Sequence, residues 1–261
     1  MTTMPARSAK EQFDNQAAHY DVQGSTWSEE TLAWMLESAV PRPADAVLDV
    51  AAGTGFTALA FAPHVRSVIG LDVSPGMLAQ ARQRADEQGL NNATFQEGAA
   101  EALPFTDSAF DIVTCRIAPH HFLDVPKFLR EAARVLRPGG RLILVDTTVP
   151  DGEAEAAEWQ NGIEAARDPS HVRNHAAREW EAMTRTTGLT VAECGSGGGG
   201  IIIPLSDWIV KAGCTPAQSE EVRRRFAQAP ESARRAFQIG TQPDGETVFT
   251  WQRVLLKADK P

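Results

Sequence analysis

The sequence predicts an α/β fold, a mostly parallel sheet covered by helices on both faces, and three observations carry that prediction. Short apolar runs alternate with amphipathic stretches from about residue 46 to residue 148. Runs such as LILVD are continuously apolar, as strands buried on both faces are. The first run, VLDVAAGTG (47–55), passes directly into a glycine turn and then a helical pattern.

Taken in order, residues 9–40 read as two helices with Tyr20 and Trp27 in the polar connection between them. Strands are expected at 46–51, 67–72, 93–97, 110–115 and 141–147, and helices at 56–63, 75–89 and 125–136. Pro138, Gly139 and Gly140 end the last of these helices. The rhythm then lapses from Val149 to Asn174, a loop of the length that compact domains keep for function. A helix at 175–187, a strand at 189–194 and a glycine run at 195–200 follow. Helices at 206–213, 216–229 and 231–239 and one last strand at 246–257 complete the chain, which has no internal repeat.

With 261 residues, 43% of them hydrophobic and 23% charged, the chain has the composition of a globular domain. Its formal charge of −9 opposes binding to nucleic acid. The densest basic cluster, Arg223 to Arg225, follows Glu220 and Glu221 and reads as a solvated helix face. Cys115, Cys194 and Cys214 have no metal-ligand spacing and leave an odd thiol, which points to a reducing compartment. The first residues lack the apolar core of a secretion signal, and no run of 18 apolar residues could span a membrane, so a cytoplasmic protein is expected.

The chemistry begins at the glycine turn. Asp49 ends the first strand, and Gly53 and Gly55 open the helix, where a Cβ would keep a ligand away from the backbone. Asp72, seventeen residues beyond Gly55, ends the second strand and can accept both hydroxyls of a ribose. Gly55 is followed by FTALAF, without the third glycine that serves a pyrophosphate.

Five segments in order are similar to those of class I S-adenosylmethionine-dependent methyltransferases, and most resemble the small-molecule group of ubiquinone and menaquinone C-methyltransferases. They are VLDVAAGTG (47–55), GLDVSPGML (70–78), EGAAEALPF (97–105), FDIVTCRIAPHHF (110–122) and LREAARVLRPGGRLILVD (129–146). The resemblance implies a Rossmann-like seven-stranded sheet of order 3-2-1-4-5-7-6 with a helical substrate cap. It also implies a helical lid at 1–45 and a methyltransferase domain at 46–261, with cap insertions at about 149–175 and 205–240. S-adenosylmethionine would be the cofactor and S-adenosylhomocysteine the product. Ala51, Gly53 and Gly55 would run past its methionine part, and Asp72, with Val73 beside it, would hold the ribose. Met77, Ala99, Ala100 and Glu101 would surround the adenine, and Arg116 would pass the methionine end through its backbone. FDNQAAHY (13–20) is similar to the family's lid, which would set Tyr20 over the cofactor. Ala51 stands where many members carry glycine, and Ala99 where a polar residue usually holds the adenine amino group.

Methyl transfer from a sulfonium is a direct displacement, so a base is needed only where the nucleophile must lose a proton. His120 and His121 lie just beyond the fourth strand, at the edge where open α/β sheets bind ligands, and either could serve, the preference falling on His121. RDPSHVRNH (167–175) places His171, Arg173 and His175 in the long segment after the fifth strand, which the resemblance implies would lie over the acceptor site. His171 and His175, four apart, would form a metal pair on a helix, but no further ligands complete a set, and no metal is expected. Trp180, with Trp159, Trp208 and Trp251, suggests a cap over an apolar or aromatic acceptor. The function expected is methyl transfer to an O, N or C atom of a small organic molecule. The alternative is a cofactor-binding scaffold, sensor or non-methylating catalyst.

Overall fold

The computed structural model describes residues 10, 13, 14, 26–197 and 202–261. Its main sheet contains β1 (Ala46–Val50), β2 (Ser67–Asp72), β3 (Ala93–Glu97), β4 (Phe110–Arg116), β5 (Leu136–Val149), β6 (His175–Ala176), β7 (Thr190–Gly197) and β11 (Gln252–Asp259). The strands lie in the order β3-β2-β1-β4-β5-β11-β7, and β6 adds a two-residue pairing to the end of β5. Numbered by chain order, the seven long strands reproduce 3-2-1-4-5-7-6. β11 alone runs antiparallel to its neighbours β5 and β7. All five residues of β1 are buried, as its central place requires.

Helices α1 (Thr26–Ala39), α2 (Phe56–Phe61) and α3 (Pro75–Glu87) cover one face through Met35, Phe61 and Leu78. On the other face, α4 (Val125–Val135) and α6 (Ala177–Arg185) bury Phe128, Leu129 and Trp180. Two helix starts have side-chain caps beside a proline: the Ser74 Oγ accepts from Met77 N–H, and the Asp124 carboxylate accepts from Lys127 N–H.

Four expectations need correction. Trp27 belongs to the first turn of α1, not to a connection. The stretch read as a loop after Val149 contains α5 (Ala154–Arg167). The helix expected from His175 starts at Ala177, so His175 lies in β6. The last strand is two: β10 (Thr247–Phe249) and β11 diverge at Thr250, whose N–H and hydroxyl both donate to Phe237 O.

β10 belongs to a second sheet, β8-β10-β9, with β8 (Ile203–Pro204) and β9 (Gly240–Thr241). This sheet, α5, α7 (Leu205–Lys211), α8 (Pro216–Ala227) and α9 (Glu231–Ala236) share an apolar cluster built on Trp208, Phe226, Phe237, Phe249 and Trp251. The cap therefore has a small antiparallel sheet as well as helices. Trp159, Trp208 and Trp251 pack within it, with ring centroids 5.8–6.3 Å apart in the pairs Trp208–Trp251 and Trp159–Trp251. Among the described residues no helix is long and apolar enough to cross a membrane.

Candidate active site

Parallel pairing of β1 with β2 and β4, and of β4 with β5, brings the ends of four strands to one edge of the sheet. The turn after β1 is strongly curved. Ala51 has φ 56°, Gly53 φ 53° and Gly55 φ 87°, all in the left-handed region. A Cβ on Gly53 would meet nothing within 4 Å, so there is room above the turn, whereas one on Gly55 would sit 3.0 Å from Ala81 Cβ on α3. The buried Thr54 hydroxyl has no partner among the described residues.

Asp49 and Asp72 hold this turn from below and from the side. The Asp49 carboxylate accepts from Ala58 N–H at 3.1 Å and from the Thr114 hydroxyl at 2.7 Å, which fixes the first turn of α2 to β4. Burial pushes its pKa up to about 7 despite these hydrogen bonds. Asp72 Oδ2 accepts from Gly53 N–H at 2.8 Å and Oδ1 from Ser74 N–H at 2.9 Å. Burial raises this carboxyl too. Each Asp72 oxygen keeps a further lone pair, and the vicinal diol of a ribose fits that rigid, paired acceptor.

Around it, Val73 is half-buried, and Met77 is buried at the start of α3. Ala99 is exposed and Ala100 buried; Ala99 bridges to Ala102 through the backbone. Glu101 Oε1 accepts from Leu123 N–H at 3.0 Å, which ties the β3 side of the site to the loop after β4. Arg116 Nε donates to Thr57 Oγ1 at 3.0 Å, joining the end of β4 to α2. Tyr20 lies outside the described residues. Other N-terminal residues do reach the site: Lys10 pairs with Glu97 at 2.5 Å, the Ser74 hydroxyl donates to Asp14 Oδ1 at 2.5 Å, and Phe13 packs edge-on against His121 at 4.9 Å.

His120 and His121 occupy a short 3₁₀ turn, Pro119–His121, beyond β4. Their ring centroids are 4.2 Å apart, and the His171 ring lies 5.7 Å from that of His120. The stack is asymmetric. His120 Nδ1 meets Asp146 Oδ1, at the end of β5, at 2.6 Å. Burial alone would lower the His120 pKa, but the Asp146 charge and hydrogen bond outweigh it and leave the ring above its ordinary 6.5. His121 Nδ1 donates to Ser170 O at 3.1 Å, so its Nε2 carries the lone pair. Burial and the neighbouring His120 hold His121 down at about 4 and His171 at about 3.

The four residues expected to contact the acceptor part company. His171 joins the histidine stack. Arg173 is exposed and paired with Glu179 at 2.5 Å. His175 Nδ1 lies 3.7 Å from Glu179 Oε2, and its ring meets that of Trp180 at 5.7 Å. Trp180 is fully buried in the core beneath the sheet, so it does not line the cap as expected. No helix spans His171 and His175, which removes the geometry of a metal pair. Among the described residues no group of three or more His, Cys, Asp or Glu side chains is placed to hold a metal ion.

Sequence reading missed Asp146, because it looks like the end of the apolar run LILVD, and Glu164 and Arg253, which belong to elements distant in sequence. Both are buried, and their charges act on His120.

The methyltransferase domain family matches residues 48–144. The uncharacterized methyltransferase YcgJ of Bacillus subtilis is 40% identical over 233 residues, which cover 88% of this chain and 90% of the relative. Its crystal structure superposes with a TM-score of 0.82 at 37% identity, over 89% of this chain and 98% of that one. The ubiquinone/menaquinone biosynthesis C-methyltransferase UbiE of Dinoroseobacter shibae is 37% identical over 146 residues, 51% of this chain and 56% of its own. The extent of the match to YcgJ shows that this chain belongs to the class I S-adenosylmethionine-dependent methyltransferases.

Proposed function

We propose that the chain transfers the methyl group of S-adenosylmethionine to an O, N or C atom of a small organic molecule, with His120 as general base. The observation that carries this reading is the 2.6 Å hydrogen bond between His120 and Asp146, at the sheet edge that also holds the glycine turn. When bound, the cofactor supplies an electrophilic methyl group on its sulfonium and leaves as S-adenosylhomocysteine. Asp72 takes the ribose hydroxyls. The turn at Gly53 lets the methionine part pass close to the backbone, and Ala99 and Ala100 offer backbone groups to the adenine.

His120 Nε2 takes the proton from an acceptor that must lose one, and Asp146 steadies the imidazolium so formed. His121 is the weaker base because it is held near 4, and it forms a wall of the site against Phe13. The cap keeps water from the displacement. An acidic chain, together with relatives named for ubiquinone and menaquinone biosynthesis, supports a small-molecule acceptor rather than nucleic acid. Three free cysteines support a cytoplasmic location.

The test is S-adenosylhomocysteine release across a panel of phenols, quinones, amines and carboxylates, followed by substitution of each histidine. With an accepted substrate, His120→Ala is expected to lose about 10²- to 10⁴-fold in turnover and His121→Ala far less. Full turnover by both variants would end the general-base reading. Tight cofactor binding with no transfer to any compound in cell extracts would favour a scaffold or sensor instead.

A further inference from the structure

Helix α5 buries Ala156, Gln160, Ile163 and Glu164, the spacing of one helical face. Ala156 and Ile163 join the apolar core of the cap, whereas the buried Gln160 and Glu164 are polar. Gln160 is fully buried, and neither its amide oxygen nor its amide nitrogen meets a partner among the described residues. Glu164, one turn further on, is close enough to His120 for their charges to interact. Burial raises its carboxyl, while the charges of Arg167, His120 and Arg253 oppose that rise.

Asn161 binds residues 168–176 to the same helix. Its Oδ1 accepts from Asn174 N–H at 2.6 Å and so must also accept from His171 Nε2, 3.1 Å away. His171 is therefore the neutral Nε2–H tautomer, and its buried Nδ1 lone pair has no partner among the described residues. Neither do the side-chain amide atoms of buried Asn174. Three buried polar side chains, one on α5 and two on the segment that Asn161 holds, are thus left with unmet hydrogen bonds, and each such group is costly without a ligand. Of these residues Asn174 lines a cavity of about 520 Å³, together with Asn161 and Arg173.

We propose that Gln160 determines which methyl acceptor is used, by pairing its amide at two points with a carboxamide or lactam edge on the acceptor molecule. The pairing rests on the methyl-transfer reading above. A primary amide presents one donor and one acceptor side by side, so its complement is another amide edge. Either assignment of the Gln160 amide atoms satisfies it. Glu164, one turn from Gln160, and Arg253 are buried with opposite charges that act on each other, so a neutral edge leaves no buried charge uncompensated.

The test is calorimetric binding to the full chain saturated with S-adenosylhomocysteine, using 3-hydroxybenzamide, 3-hydroxyacetophenone and 3-isopropenylphenol. The second compound lacks the amide donor and the third lacks both polar points. Wild-type protein is expected to bind 3-hydroxybenzamide about tenfold or more tightly than 3-hydroxyacetophenone, the worth of one buried hydrogen bond. 3-Isopropenylphenol should bind more weakly still. Gln160→Leu is expected to erase the preference, leave S-adenosylhomocysteine affinity unchanged, and raise Tm by a few degrees because an unpaired buried amide is gone. Equal binding of the three probes by wild-type protein, or no binding of any, overturns the proposal without recourse to a variant. So does a retained preference in Gln160→Leu, or a lowered Tm, which would assign the amide to the fold. Preference without methyl transfer would overturn the methyl-transfer reading and keep the subsite, whereas transfer without preference would do the reverse.

Discussion

Replacing Asp146 with Asn removes the charge that faces His120 Nδ1 at 2.6 Å and keeps the shape of the side chain. A hydrogen bond to an ionised partner contributes about 1.5–3 kcal/mol. If it is strengthened as the imidazolium forms, Asp146→Asn loses roughly 10- to 150-fold in kcat/KM. The pH profile is the sharper readout. A general base acts in its neutral form, so activity rises as pH climbs through the pKa of the base. Burial pulls His120 down but Asp146 more than compensates, which puts the acid limb of the wild-type profile above 6.5. In Asp146→Asn burial is no longer opposed by that charge, and the limb moves to lower pH. Were His121 the base, the limb would lie near 4, where burial and His120 hold it. The assay is S-adenosylhomocysteine release with an accepted substrate from about pH 4 to about pH 9. An acid limb near 4, or a wild-type kcat/KM for Asp146→Asn on the alkaline plateau, would refute the assignment.

Three further substitutions test the cofactor side. Asp49, pushed up to about 7 by burial, takes up a proton more readily folded than unfolded. Its contribution to stability is therefore fully present below its unfolded pKa near 4 and lost as pH rises through about 7. Asp49→Asn should flatten that fall by up to about 4 kcal/mol in urea unfolding at acid and neutral pH, and an unchanged pH dependence would contradict the buried carboxylate. Ala51 at φ 56° carries a left-handed cost of roughly 1–2 kcal/mol, of which glycine would return about 0.4–1 through its freer unfolded chain. Ala51→Gly should thus leave stability unchanged or raise it slightly, and a clear drop in Tm would count against strain at this turn. A Cβ at Gly70 would lie 2.5 Å from Phe95 Cδ1, so Gly70→Ala must displace a ring that also packs beneath Gly55. A loss of about 1–3 kcal/mol is expected, with weaker binding of S-adenosylhomocysteine measured by calorimetry; native stability would show that Phe95 yields freely.

The sheet was legible because its strands obey a simple physical rule. Strands covered on both faces must be apolar throughout, and β1, β2 and β4 are bounded by glycine turns and capped helices that mark their ends. Helix α5 was illegible for the opposite reason. Its buried positions 156, 160, 163 and 164 keep helical spacing, but two of them are Gln and Glu, so the periodicity survives in burial and vanishes from hydrophobicity. The final strand misled through its very continuity. Apolar and β-branched residues run from Thr247 to Trp251 and again from Val254 to Leu256, and only the two hydrogen bonds from Thr250 to Phe237 O show where the cap sheet ends. On the site itself, Asp72 and the glycines were visible because their spacing along one βαβ unit is local. Asp146, Glu164 and Arg253 come from three separate elements, and no local spacing relates them to His120.

The opposed shifts within the histidine stack have one origin. With His171 and His121 at 5.7 and 4.2 Å from His120, a second positive charge in the stack would be repelled at close range with little water to screen it. Only one ring can therefore carry a positive charge, and Asp146 decides which, because among the described residues it is the carboxylate hydrogen-bonded to one of the three rings. His121, donating to a backbone carbonyl, and His171, donating to an amide oxygen, gain no comparable stabilisation of a charge. A proton arriving at His120 Nε2 then suppresses protonation of its neighbours, which keeps the His121 Nε2 and His171 Nδ1 lone pairs available as acceptors. Under the proposed general-base reading the stack separates two tasks that a lone histidine would have to share: one ring would take the proton, and two neutral rings would stay free to accept hydrogen bonds.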